Sequence, residues 1–342
     1  MTSPSGEGAP PPVLAEVWRG PAVESVHRGG VVAVDATGAI VASCGDSGLR
    51  SFARSSIKPI QALPLVAGGG LERFGFIASE LAVICGSHSG EPFHIEAVLS
   101  ILKKIDLPEA ALQCGGHMPF HQPTADAMRL RGETPRPVHD NCSGKHAGML
   151  ALARFHGWDP QGYPDPGHPV HWRIAEALAA AAGSHAAVAT SAVDGCGVPT
   201  YHISLLELAT AFARLAAPAQ MPEAWRAPAP VITGAMMSHP EMVAGTGRPD
   251  TVLMRAAPHR LFVKGGGEAI MAVGVPGRGL GLAVKIEDGG SRALAAVAIE
   301  ALRQLEVLTE DDLAVLNAHH RPPIQNRRGL QVGEIRLVLT LE

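Results

Sequence analysis

Hydrophobic positions change period several times along the chain. Residues 31–34 and 40–43 are short apolar runs on either side of Asp35-Ala36-Thr37-Gly38, a pattern that predicts a hairpin. Residues 55–66 predict a helix that tolerates Pro59 because it falls in the first turn. Helical spacing returns over 91–105 behind Ser89-Gly90, then over 143–156, 170–182 and 204–216, the second and third of these rich in alanine and leucine. Residues 218–230 break the pattern and predict a surface excursion. Beyond them come three short strands at 261–264, 269–273 and 280–286, a helix at 291–305 and a last strand at 332–341. Strands at both ends around a helical middle predict an α+β fold, an antiparallel sheet flanked by helices.

Composition narrows the class. A chain of 342 residues can bury a large core, and residues 13–342 read as one domain without internal repeats. A net charge of −4 gives no reason to expect nucleic acid or an acidic membrane surface. Aromatic residues make up 4%, too few for base-stacking platforms. Residues 1–12 are rich in Pro, Gly and Ser and predict a loose tail rather than a signal peptide. No apolar run approaches the ~20 residues that cross a bilayer. A soluble, cytoplasmic protein is the expectation.

The chemistry starts at Ala53-Arg54-Ser55-Ser56-Ile57-Lys58-Pro59. Ser55 and Lys58 stand three apart, so one helical turn would bring hydroxyl and amine together. A serine is a poor nucleophile until a base takes its proton, and a buried lysine near other cations can be that base. This S-x-x-K spacing resembles the nucleophile signature of the penicillin-recognising hydrolases. Two further segments keep it company. Cys85-Gly86-Ser87-His88-Ser89-Gly90-Glu91 is a loop of small hydroxyl residues in which backbone can approach a ligand closely. Leu261-Phe262-Val263-Lys264-Gly265-Gly266-Gly267 is a strand-like run ending in lysine and glycines, similar to the K-T-G element of those hydrolases with Gly265 at the hydroxyl position. In this order the three read as a serine amidohydrolase.

Five cysteines, widely spaced, argue against a disulfide framework. Cys44 reads as a small buried hydrophobe. Cys142 and Cys196 differ, because each sits in a polar, glycine-rich stretch. Cys142, Lys145 and His146 fall at i, i+3, i+4, so one helix start would gather all three and favour a thiolate. Spacing alone does not predict a metal there, since lysine is a rare ligand.

Longer blocks identify a family. His139-Asp140-Asn141-Cys142-Ser143-Gly144-Lys145-His146 and Ser191-Ala192-Val193-Asp194-Gly195-Cys196-Gly197-Val198-Pro199 strongly resemble the asparaginase II family, the Rhizobium etli-type L-asparaginases. Residues 54–64, 85–91, 114–117, 238–245 and 284–289 match as well, so the resemblance runs over nearly the whole chain. It implies a fold similar to the serine β-lactamases, penicillin-binding proteins and glutaminases, and hydrolysis of L-asparagine to L-aspartate and ammonia through an acyl-enzyme. Ser55 is the expected nucleophile and Lys58 its base; Ser87 with Lys264 is the expected second pair, a proton relay or an alternative nucleophile. Arg54 is expected to neutralise the substrate carboxylate or developing charge, and Asp194 to anchor its ammonium or to hold a zinc-bound water. His88 and His146 are expected to hydrogen-bond around the substrate, each with a structural role equally open. The resemblance also implies Zn2+ on Cys142, Lys145 and Cys196, and a homodimer. Lys285 is read as a strand end with structural charge pairing. Two other readings stay open: a glutaminase or other β-lactamase-like amidohydrolase using the same serines and lysines, and a non-catalytic zinc-stabilised binding protein.

Overall fold

The protein is described by a computed structural model that covers residues 10–342. Its main sheet is antiparallel and begins with β1 (Val13–Arg19), β2 (Ala22–Asp35) and β3 (Ile40–Cys44). The small strand β4 (Arg50–Phe52) joins β5 (Ser191–Val193) and β6 (Pro199–Ser204) in a second sheet of order β4-β6-β5. The late strands β7 (Phe262–Gly266), β8 (Ile270–Val275), β9 (Leu280–Ile286), β10 (Pro323–Gln325) and β11 (Gln331–Leu337) complete the main sheet. Its order is β10-β11-β1-β2-β9-β8-β7, with β3 pairing β2 beside that path.

This is the predicted α+β architecture. The expected hairpin forms, with Val34 opposite Ile40, and Asp35 accepts from Thr37 and Ala39 to close its turn. The strand β2 is far longer than its apolar run. Its first half, polar in sequence, is held as a ladder partner of β1, and its second half pairs β9. Every residue of β9 is buried, which requires cover on both faces. The helix Leu205–Ala216 packs on β2, β8 and β9, and the helix Leu294–Gln304 on β8, β9 and β11. The first approaches so closely that a Cβ on Gly281 would lie 2.0 Å from the Ala209 carbonyl oxygen. Its start is fixed by a capping box in which Ser204 and Glu207 satisfy each other's backbone N–H.

Helix Ser143–His156 has the predicted bounds, ending where Gly157 turns left-handed at φ 71°. Elsewhere the structure departs from expectation. Residues 55–66 are not one helix but a 3-10 turn, Arg54–Ile57, followed by short helices Lys58–Gln61 and Leu63–Ala67. Pro59 and Pro64 each stand in the first turn of their own helix, where the missing N–H costs nothing, and together they prevent a continuous one. The 218–230 segment is no mere surface excursion. It forms the 3-10 turn Pro218–Gln220, the helix Glu223–Arg226 and the start of Pro228–Ser238, with Trp225 buried. The predicted tail lies mostly outside the described residues, and its end is pinned: Pro12 accepts from the Gly29 N–H and Pro11 from Arg28.

Buried apolar residues form one cluster reaching from Leu14 to Leu339. Among the described residues no helix is long and apolar enough to cross a membrane. For the site, the decisive packing is that of β7 on the 3-10 turn Arg54–Ile57. A Cβ on Gly266 would sit 3.1 Å from both the Ala53 oxygen and the Ser56 nitrogen, so a bare backbone is what lets strand and turn meet.

Candidate active site

A cavity of about 380 Å³ opens where the 3-10 turn, the loop after helix Ala78–Ile84 and β7 converge. Its lining includes Ser55, Ser87, Asn141, Lys264, Phe120 and Arg248. The volume suits a small molecule. A larger cavity of about 1020 Å³ lies elsewhere, lined by residues such as Glu300, Arg303, His320 and Arg336, with no serine, cysteine or lysine. There Glu300 already binds both His320 and Arg303, and Arg336 binds Glu334.

The serine–lysine pairing differs from the one expected. Lys58 is buried, and its Nζ donates to Ser87 Oγ at 2.9 Å, to the Gly86 carbonyl at 2.6 Å and to Cys142 Sγ at 3.2 Å. Ser55 makes no side-chain hydrogen bond among the described residues, although it faces the cavity. The cause is the broken helix: Ser55 lies in the 3-10 turn and Lys58 opens the next element, so the one-turn geometry is lost. Ser87 is aimed by its backbone, whose N–H donates to the Val243 oxygen at 2.7 Å.

Nor does Lys264 bind Ser87. Its Nζ donates to the Gly265 carbonyl at 2.5 Å and lies 3.7 Å from the buried Asp250 carboxylate, which also accepts the Gly265 N–H at 2.6 Å. Burial pushes the Lys264 pKa down to about 8, against Asp250, which raises it, and with Lys58, which lowers it further. An amine with that pKa is neutral in roughly a tenth of molecules at pH 7.

Next to Lys58 the predicted metal-ligand candidates come together. Lys145 Nζ donates to Cys196 Sγ at 2.8 Å, and all three candidates are buried. Contact with Cys196 draws the Cys142 thiol well below its ordinary pKa against the opposing effect of burial, with Lys58 and Lys145 adding to the pull. The same contact, with burial, raises Cys196. Burial would lower Lys145, but the two sulfurs outweigh it and hold the amine protonated. Among the described residues no three His, Cys, Asp or Glu side chains gather as a metal site. Two sulfurs in contact, one of them bonded by the amine, nevertheless fit a zinc ion as donors once the amine gives up its proton.

Arg54 and Asp194 are brought together, but with each other. Arg54 Nε donates to Asp194 Oδ1 at 2.7 Å, and Glu268 lies 3.8 Å from the same guanidinium. Arg54 holds this position at φ 50°, a strained angle for a side chain with Cβ. Burial works to raise the Asp194 pKa, yet the Gly195 N–H, Lys145 and Arg54 together keep it lowered.

His88 does not reach the cavity lining: Nε2 meets Ser143 Oγ at 2.8 Å and Nδ1 accepts the Gly90 N–H at 3.1 Å, so both nitrogens are engaged. His146 Nδ1 lies 2.7 Å from the Tyr163 hydroxyl, whose oxygen accepts the Gln113 N–H. The other ring nitrogen, Nε2, is buried without a partner. Burial pushes both histidines well below their usual pKa, so both are neutral. Lys285 is buried and donates to the Ile286 carbonyl at the end of β9.

Sequence reasoning missed Asp250, Arg248, Phe120 and Tyr163. Arg248 and Asp250 follow closely on the block 238–245, so extending that block by five residues would have found them.

A family model described as L-asparaginase II matches residues 15–337. The chain belongs to the L-asparaginase II family. Membership makes it an amidohydrolase, an enzyme whose substrate is a small molecule. Solved structures similar to this asparaginase II family member include Mglu, at 15% identity and TM-score 0.45 over 83% of this chain and 68% of that one. They also include Mglu in its native form, at 16% and 0.46 over 84% and 66%. A β-lactamase from Mycobacterium bovis aligns at 15% and 0.41 over 85% and 97%. The chain thus spans about two thirds of the length of these Mglu chains. No curated protein matches it.

Proposed function

We propose that this family member hydrolyses the side-chain amide of L-asparagine, giving L-aspartate and ammonia. The observation that carries the reading is the convergence of Ser55, Ser87 and Lys264 on one cavity, with buried Lys58 bonded to Ser87 behind it.

Ser55 is the nucleophile in this reading because its hydroxyl faces the cavity without a competing hydrogen bond. Its oxygen forms a bond to the amide carbon while the carbonyl electrons move to oxygen. Its proton passes into the group formed by Ser87, Lys58 and Lys264. Lys264 is the acceptor with a useful neutral population near pH 8. Collapse of the tetrahedral species breaks the C–N bond, and the nitrogen leaves as ammonia after taking a proton from the same group. Water then adds to the aspartyl ester of Ser55 and releases L-aspartate.

Cys142, Cys196 and Lys145 would hold zinc, which when bound supplies a fixed positive charge beside Lys58 and the cavity. The Arg54–Asp194 pair keeps the 3-10 turn attached to the loop that carries Cys196, so it supports both groups. A homodimer and a cytoplasmic location complete the proposal.

The test is aspartate formation followed by NMR or chromatography, with L-asparagine and L-glutamine in parallel. Conversion of asparagine alone is the expected result. Conversion of glutamine as well makes the enzyme a broader ω-amidase, and conversion of neither overturns the reading.

A further inference from the structure

The cavity has a cation at its mouth that the reaction as described does not use. Arg248 lines it together with Ser55, Ser87 and Asn141, and the residue is exposed. Its guanidinium has no hydrogen-bond or ion-pair partner among the described residues and lies 5.7 Å from the centre of the Phe120 ring, itself part of the lining.

The other cations near the serines differ in this respect. Arg54 is held by Asp194 at 2.7 Å with Glu268 at 3.8 Å, and it is not among the lining residues. Lys264 lines the cavity but is buried beside Asp250. Lys58 is enclosed by three acceptors. Arg248 is therefore the lining cation whose charge the protein leaves uncompensated. A guanidinium resting on an aromatic face keeps its N–H edge free, and that edge matches a carboxylate with two parallel bonds.

The loop behind Arg248 is held firmly. Thr246 donates from its N–H and its hydroxyl to the buried Glu91 carboxylate, at 2.8 and 2.7 Å, and the Arg248 N–H donates to the Gly245 oxygen at 3.3 Å. An arginine on so fixed a support presents its charge at a set place, which suits recognition better than a solvated rim charge does.

We infer that Arg248, stacked on Phe120, binds the free α-carboxylate of the substrate and so restricts the enzyme to ω-amides of amino acids. Resting on the amide-hydrolase reading above, this moves the carboxylate contact from Arg54 to Arg248. Arg54 then serves with Asp194 to hold the turn that carries Ser55.

The test compares L-asparagine with 3-aminopropanamide, which is asparagine without its α-carboxylate, by ammonia release. Wild type should prefer asparagine. Arg248→Ala should raise KM for asparagine about ten- to a hundredfold, as expected for losing a charge-assisted contact, with kcat within a few fold. Arg248→Lys should recover part of the loss, and the rate with 3-aminopropanamide should not change. Titration of L-aspartate into wild type and Arg248→Ala, followed by calorimetry, gives a second readout, and its affinity should fall by the same factor. Equal loss on both amides, or an unchanged KM and aspartate affinity, overturns the assignment while leaving the amide-hydrolase reading intact. A wild type that cleaves neither amide overturns both, and this is seen before any variant is made.

Discussion

Lys58 Nζ lies 2.9 Å from Ser87 Oγ, although Ser55 is the serine three residues before it. The lysine therefore bridges two segments distant in sequence and ties the Ser87 loop to the turn carrying Ser55. It also touches Cys142, so one amine links the Ser87 hydroxyl to the sulfur pair. Changes in either part should be felt in the other.

The two serines should separate cleanly on substitution. Ser55→Ala should lower kcat at least about a thousandfold, since the group that forms the ester is gone. Ser87→Ala should cost about 10²–10⁴-fold, the usual range for losing a proton-transfer partner. Rapid quench of the Ser87→Ala protein with asparagine, followed by peptide mass spectrometry, should find an aspartyl ester on the peptide carrying Ser55. An ester mapped to Ser87 in the wild type would reverse the two roles.

The pH dependence follows from Lys264. A protonated amine cannot accept the serine proton, so kcat/KM should rise with pH through about 8 and level off above it. Asp250 raises the pKa of Lys264, so Asp250→Asn should move that limb to lower pH even as it slows the reaction. A limb unmoved by this change would show that some other group controls it. The same shift has a stability consequence. Between about 8 and the unperturbed 10.5 the unfolded chain binds more protons at this lysine than the folded one. This group should therefore add stability as pH rises through that window.

Metal content offers a third check. Protein prepared with zinc should hold about one ion per chain by atomic emission, and Cys142→Ser should hold little. Because the serine also loses the sulfur that accepts from Lys58, activity should fall with the metal. Cys44→Ser, distant in sequence and not in the sulfur pair, should keep both. Equal zinc in wild type and Cys142→Ser would end the assignment of this residue as a ligand.

The parts of the fold legible from sequence were those where local pattern and tertiary packing agree. Helix Ser143–His156 has a glycine at its end, and β8 and β9 are largely apolar because both faces are covered. The first half of β2 carries Glu24, Ser25, His27 and Arg28, and only pairing with β1 makes it a strand. Helix Glu310–His320 did announce itself, through Thr309 as its cap and three acidic residues in its first turn, a signal left unread.

At the site the motifs identified the right neighbourhood, since Ser55, Ser87 and Lys264 share a cavity that Lys58 adjoins. Spacing could not reveal that Pro59 and Pro64 split the helix and so redirect Lys58. It was equally silent on His88, whose two nitrogens are taken by Ser143 and Gly90, because both partners depend on how the loop folds back.

Gly245 supplies the most severe test of how the site is supported. It stands at φ 123°, a backbone angle that side-chain-bearing residues rarely adopt, and a Cβ there would lie 1.9 Å from Ser89 Oγ and 2.7 Å from Glu91 Oε1. Both neighbours are already engaged: Ser89 donates to the Ala244 oxygen, and Glu91 holds Thr246. Gly245→Ala must therefore strain the backbone and displace this clamp together, a loss of about 2–4 kcal/mol. The same loop runs back to Val243, which accepts the Ser87 N–H, and forward to Arg248 at the cavity mouth. Activity should then fall further than the folded fraction does. Thr246→Val separates the two effects, since it removes one hydroxyl bond to Glu91, worth about 1 kcal/mol, and leaves the glycine undisturbed. Urea denaturation read beside asparagine turnover is the measurement, and a Gly245→Ala protein with wild-type midpoint and turnover would mean that the clamp does not support the site.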